Sequence, residues 1–171
     1  MSLYTIKAAF VITGTERIAA KYYTDDWPTI EAQRKLENKL IAQRSTHQSD
    51  AVVFDDVLAI YRINMGTFFC VVGDVDENPY ILEAALDAMY QGTSLLLHGQ
   101  VDKRTLLENL DYVMLVIDEV VDDGIVLESS ASAVAQRVAL RELEPDVPIG
   151  EQTIADALKS ARGAIDQLLN N

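Results

Sequence analysis

The sequence holds a single cysteine, Cys70, among 171 residues. No intramolecular disulfide can form, and a thiol set in an apolar strand reads as a small buried hydrophobe in a reducing compartment. Histidine is almost as scarce. His47 and His98 are the only two, and neither falls in a His-x-x-x-His or Cys-x-x-Cys spacing that would hold zinc. They read as surface side chains rather than as bases for a serine or cysteine nucleophile. The eight glycines stand singly, which removes the phosphate cradles of nucleotide- and dinucleotide-binding folds. Positive charge is short as well, with 14 Lys and Arg against 27 Asp and Glu and a net charge of -13. Such a surface repels nucleic-acid phosphates and anionic bilayers and suits a cationic or apolar protein partner. No apolar stretch nears the ~20 residues that cross a bilayer, and Met1 to Lys7 lacks the basic leader of a signal peptide. The expectation is a soluble cytosolic chain with no cofactor, metal or small-molecule substrate.

Acids are abundant, but their spacing carries no site. Asp74, Asp76 and Asn78 open like a calcium loop, yet the sixth and twelfth positions are Pro79 and Ala85 where glycine and glutamate are needed. Asp55-Asp56, Asp118-Glu119 and Asp122-Asp123 read as charges on solvated turns and helix faces.

What is present is a core. Hydrophobic residues make up 49% of the chain, enough for one domain with a C-terminal extension. Val57 to Gly73 is two apolar, β-branched and aromatic runs around Asn64, Met65 and Gly66, which predicts a hairpin. Ala59, Tyr61 and Ile63 fall on one face and Leu58 and Ile60 on the other, so the hairpin should lie mid-sheet with both sides covered. Leu3 to Thr13 and Arg17 to Tyr23 predict a second hairpin, and Ala51 to Phe54 a short strand. A helix is expected from Trp27-Pro28 to about Arg44, with Ala32, Leu36 and Leu40 as its stripe. Another starts at Pro79, capped by Asn78, and presents Leu82, Ala85, Leu86, Met89, Thr93, Leu96 and Leu97. Gly92 should weaken it.

Asp102 is expected to cap a short helix to Asn109, followed by a longer one from Leu110 to Asp122 ended at Gly124. Extended Ile125 to Leu127 then leads to a helix over Ala131 to Leu140, capped by Ser129 or Ser130. Glu142 to Gly150 contains two prolines and a glycine and reads as a linker. Ile154, Leu158 and Ile165 mark the docking stripe of an amphipathic terminal helix. The domain organisation expected is thus 1–141 and a 142–171 extension. The residues by themselves reach an acidic α+β interaction domain.

The order two strands, helix, three strands and helices resembles the longin-like (profilin-like) architecture of vesicle-coat small subunits. Tyr61-Arg62 with Phe68-Phe69-Cys70, Leu82-Glu83, and Asp118-Glu119 with Gly124 resemble the adaptor sigma subunits. Arg17 to Tyr23, Arg137 to Arg141, and Asp146-Val147-Pro148 leading into Glu151-Gln152-Thr153 resemble the coatomer zeta subunits in particular. The resemblance spans essentially the whole chain. It implies an α+β fold with a five-stranded antiparallel sheet flanked by helices, and a non-enzymatic subunit of the COPI coat. It also implies pairing with the trunk of the coatomer gamma subunit, the remaining coatomer subunits as neighbours, and recruitment to Golgi membranes by an Arf-type GTPase. In sigma subunits a similar region holds acidic dileucine cargo signals, and the matching positions are Met65, Thr67, Met89, Gln100, Val101 and Arg104. Thr67 and Arg104 stand where sigma has leucines, so no such binding is expected. The alternatives are another longin-like trafficking scaffold, a sigma-type cargo reader and, more weakly, an enzyme.

Overall fold

The computed structural model describes residues 5–45 and 47–143. Strands β1 (Ala8–Thr13) and β2 (Glu16–Tyr22) form the first hairpin, and helix α1 (Ile30–Gln43) follows. Strands β3 (Ser49–Phe54), β4 (Val57–Asn64) and β5 (Thr67–Asp74) complete an antiparallel sheet of five strands in the order β2-β1-β5-β4-β3. β5 is the middle strand, so the hairpin that the apolar runs predict does lie mid-sheet. Seven of its eight residues are buried, the pattern of a strand covered on both faces.

The two faces carry separate cores. Phe10, Ile12, Ala59, Tyr61, Phe68, Cys70 and Val72 pack with Leu36 and Leu40 of α1. On the other face Val11, Leu58, Phe69 and Val71 meet helices α2 (Pro79–Leu96) and α4 (Leu110–Val120), together with Val134 and Val138 of α5 (Ala131–Leu143). Each fully buried Leu, Ile or Phe contributes about 1.5–3 kcal/mol, so both layers are substantial. Gly92 faces α5 at a point where an added Cβ would stand 3.2 Å from Val134 Cγ1. The residue that weakens α2 is what lets α5 approach it.

Several boundaries differ from expectation, β3 beginning at Ser49 rather than Ala51 among them. The first strand begins at Ala8 rather than Leu3. Lys7 donates its N–H to Val72, the residue already opposite Ala8. That one-residue slip turns Ile6 to the α2 face, away from the Ala8 and Phe10 set. Helix α1 starts at Ile30, because Thr29 rather than the Asp25-Asp26-Trp27-Pro28 stretch supplies the cap, accepting from Ala32 N at 3.2 Å. Helix α4 ends at Val120. Asp123 and Gly124 have φ of 45° and 79°, a two-residue turn that recruits Val121–Asp122 (β6) and Ile125–Val126 (β7) as a small hairpin. Helix α5 runs to Leu143, two residues into the expected linker.

The chain divides into units Met1–Leu140 and Arg141–Asn171. The rest of the linker and the stripe Ile154, Leu158 and Ile165 lie outside the described residues.

Candidate interaction surface

The tip of the β4–β5 hairpin is a two-residue turn in which Met65 and Gly66 both take positive φ, 50° and 75°. Glycine does so freely, whereas a methionine there stores some strain. The turn holds Met65 out in solvent, 60% exposed. Thr67 enters the sheet immediately behind it and is wholly buried. Its hydroxyl donates to the Val101 carbonyl at 2.6 Å, which ties the segment after α2 to the central strand and satisfies a carbonyl that water cannot reach. Met89 and Val101 are buried as well.

Beyond Val101 the chain turns into α3 (Lys103–Glu108). Asp102 caps it, accepting from Arg104 N at 3.0 Å and Thr105 N at 3.2 Å while the Thr105 hydroxyl donates to it at 2.7 Å. The Thr105 side chain and then the backbone amides favour the ionised form, so the Asp102 carboxyl sits below its ordinary range. Arg104 turns outward, 85% exposed, with Nε 2.8 Å from Glu108 Oε1. Gln100 is exposed too.

The six positions drawn from the sigma resemblance therefore separate. Thr67, Met89 and Val101 belong to the interior, and Met65, Gln100 and Arg104 to the surface. A shallow depression of about 630 Å³ lies between the hairpin tip and α3, lined by Met65, Asp102, Lys103, Arg104, Leu107 and Glu108. Leu107, 49% exposed, was absent from the expected set. Its i+3 spacing from Arg104 on a helix is the signal that would have found it. The depression offers two apolar side chains and two cations already occupied, Lys103 by Glu16 at 2.6 Å and Arg104 by Glu108.

Cys70 is fully buried, and burial pushes its thiol well above the usual range, so it is not a thiolate nucleophile. Among the described residues no group of three His, Cys, Asp or Glu could hold a metal ion. No helix among them is long and apolar enough to cross a membrane.

Residues 5–144 match the model of the clathrin adaptor complex small chain. Coatomer subunit zeta-1 of Oryza sativa subsp. japonica is 40% identical over 151 residues, covering 86% of this chain and 85% of that one. Coatomer subunit zeta-1 of Homo sapiens is 36% identical over 165 residues, 96% of this chain and 92% of that one. The chain belongs to the coatomer zeta branch of the adaptor small-chain family. A chain in a homology model of the full-length AP-3 complex in a stretched open conformation shares the fold, with a TM-score of 0.64 at 19% identity over 81% of this chain and 94% of that one. The five-stranded antiparallel sheet with helices on both faces is the longin-like arrangement of that family. Met65, Arg104 and Leu107 line the depression at the hairpin tip, and the buried Thr67 lies beneath it.

Proposed function

We propose that this chain is the non-enzymatic small subunit of a COPI-type vesicle coat, paired with the trunk of a coatomer gamma subunit and joined through it to the remaining coatomer subunits. It serves Golgi-to-ER and intra-Golgi transport from the cytosolic side of Golgi membranes, to which an Arf-type GTPase brings the assembled coat. The observation that carries this reading is the match to coatomer zeta-1 over 96% of the chain, with sheet, flanking helices and α5 all inside the matched span. The charge supports it. A net charge of -13 keeps the subunit off an anionic bilayer, so membrane contact falls to its partners.

Co-expression with a coatomer gamma trunk tests the pairing. A one-to-one complex should sediment intact at micromolar concentration. Two independent species at that concentration would overturn the reading.

A further inference from the structure

We propose that the free edge of β3 takes up an extended, basic and apolar segment of a partner protein as an additional strand. The proposal needs only the sheet and stands apart from the coat assignment.

The register defines which backbone groups are free. The Ile63 N–H donates to the Gln48 carbonyl, and every β3–β4 pair keeps the same register. In an antiparallel ladder the bonded pairs alternate, so Asp50, Val52 and Phe54 face β4 while Ser49, Ala51 and Val53 point their backbone groups outward. The same three side chains are exposed, whereas Asp50, Val52 and Phe54 are half-buried. Val53 is 59% exposed. Among the described residues one face of β3 is exposed and no strand pairs with its outer edge.

The opposite edge of the sheet is protected. β2 carries Arg17 and Lys21, its pairing with β1 is broken by a bulge at Val11/Ile12, and Lys21 reaches Asp118 of α4 at 2.9 Å. Those are ordinary defences against stray strands. β3, Ser-Asp-Ala-Val-Val-Phe, has no lysine, no proline and no register shift. Its one safeguard is Asp50, whose Oδ1 accepts from Ala51 N at 2.8 Å. Among the described residues Val53 N–H has no such cover.

The surroundings select the occupant. Asp55 and Asp56 close the β3–β4 turn, and Asp87 of α2 holds Arg62 of β4 at 2.6 Å. Lys39 is tied to Asp55 at 2.6 Å. Lys39 and Arg62 are thus each bound to an acid and Lys35 of α1 lies beside Asp55, while Asp50 and Asp56 have no lysine or arginine partner among the described residues. An added strand bonds its backbone to Ser49, Val53 and the carbonyl of Ala51, lays apolar side chains against Val53 and Ala51, and offers lysine or arginine to the acids.

The probe is a labelled octapeptide alternating lysine and valine, with a glutamate–valine peptide as control, titrated against the full chain. The lysine peptide should bind and slow hydrogen exchange at the Val53 amide, and the control should not. Val53→Pro removes an outward donor without touching the β3–β4 ladder and should weaken binding at least about tenfold. Val53→Lys keeps the donors, sets like charge against the peptide, and should weaken it as well. Circular dichroism shows which variants remain folded. Binding that leaves Val53 exchange unchanged, or that survives both variants, is charge attraction alone and overturns the proposal. So does no binding, and so does Val53 protection appearing with protein concentration alone, which would mean pairing with a second copy.

Discussion

Arg17 on β2 and Glu37 on α1 meet at 2.7 Å, with the Glu37 side chain only 5% exposed. The Tyr22 hydroxyl donates to the same carboxylate at 2.9 Å, and Arg17 also reaches Gln33. These bonds clamp α1 to the edge hairpin. Removing one partner leaves the other charge desolvated and unpaired, so Glu37→Ala should destabilise by about 3 kcal/mol, the low end for a buried pair because Arg17 keeps some water. Glu37→Gln retains an acceptor for Tyr22 and should lose less. Urea unfolding of both variants checks the order.

Thr67→Val keeps the shape of the side chain and deletes its donor. The buried Val101 carbonyl then has no hydroxyl, at an expected cost of about 1–3 kcal/mol. Amides from Leu97 to Asp102 should exchange faster before the rest of the sheet does. If denaturant midpoints for Thr67→Val and the parent coincide, the bond is not holding that segment.

Acid should weaken the fold in a defined window. The carboxyls of Asp102, Asp74 and Glu128 are all held below their ordinary range, led respectively by the Thr105 side chain, the Asp76 amide and the Ser130 amide. A depressed folded pKa adds stability that is complete above the unfolded value, about 3.9 for Asp and 4.3 for Glu, and is lost as pH falls through the folded value. Stability should therefore hold from neutrality to about pH 4.3 and then decline. Asp102→Asn removes one titrating group and should flatten that decline, measured by urea unfolding across the acid range.

Acidic dileucine peptides should bind poorly. Thr67 is committed to Val101, and Arg104 projects into solvent, where the sigma resemblance would have leucines. Each exchange forfeits on the order of 1.5–3 kcal/mol of apolar burial, and 1.4 kcal/mol is tenfold in affinity. Titration of a labelled peptide against the gamma-paired chain tests this. Micromolar binding abolished by Arg104→Glu would make the subunit a cargo reader.

The central hairpin was legible because its signals agree. Alternation assigned Ala59 and Tyr61 to one core and Leu58 to the other, and Asn78-Pro79 marked the start of α2 through cap chemistry that is local. The slip at Lys7 was hidden because period two continues unbroken from Tyr4 to Ile12, and only pairing with β5 reveals the break. Glu37 carries no local signal of burial. Its burial follows from Arg17 lying opposite, a contact between distant segments that no window of sequence displays. At the candidate surface, residue types named the neighbourhood, but the inward path of Thr67 and the outward path of Arg104 depend on where Asp102 begins α3.

The two cores also differ in when they can exist. The one under α1 draws its buried residues from Ala8 to Val72, so it can close once β5 has left the ribosome. The other needs α2, α4 and Val138 of α5. At on the order of 5–20 residues per second, the emerging chain passes seconds as a half-clad sheet, with Val11, Phe69 and Val71 bare to any chaperone or stray neighbour. Its hazard during synthesis is one-sided, and α5 is the element that ends it.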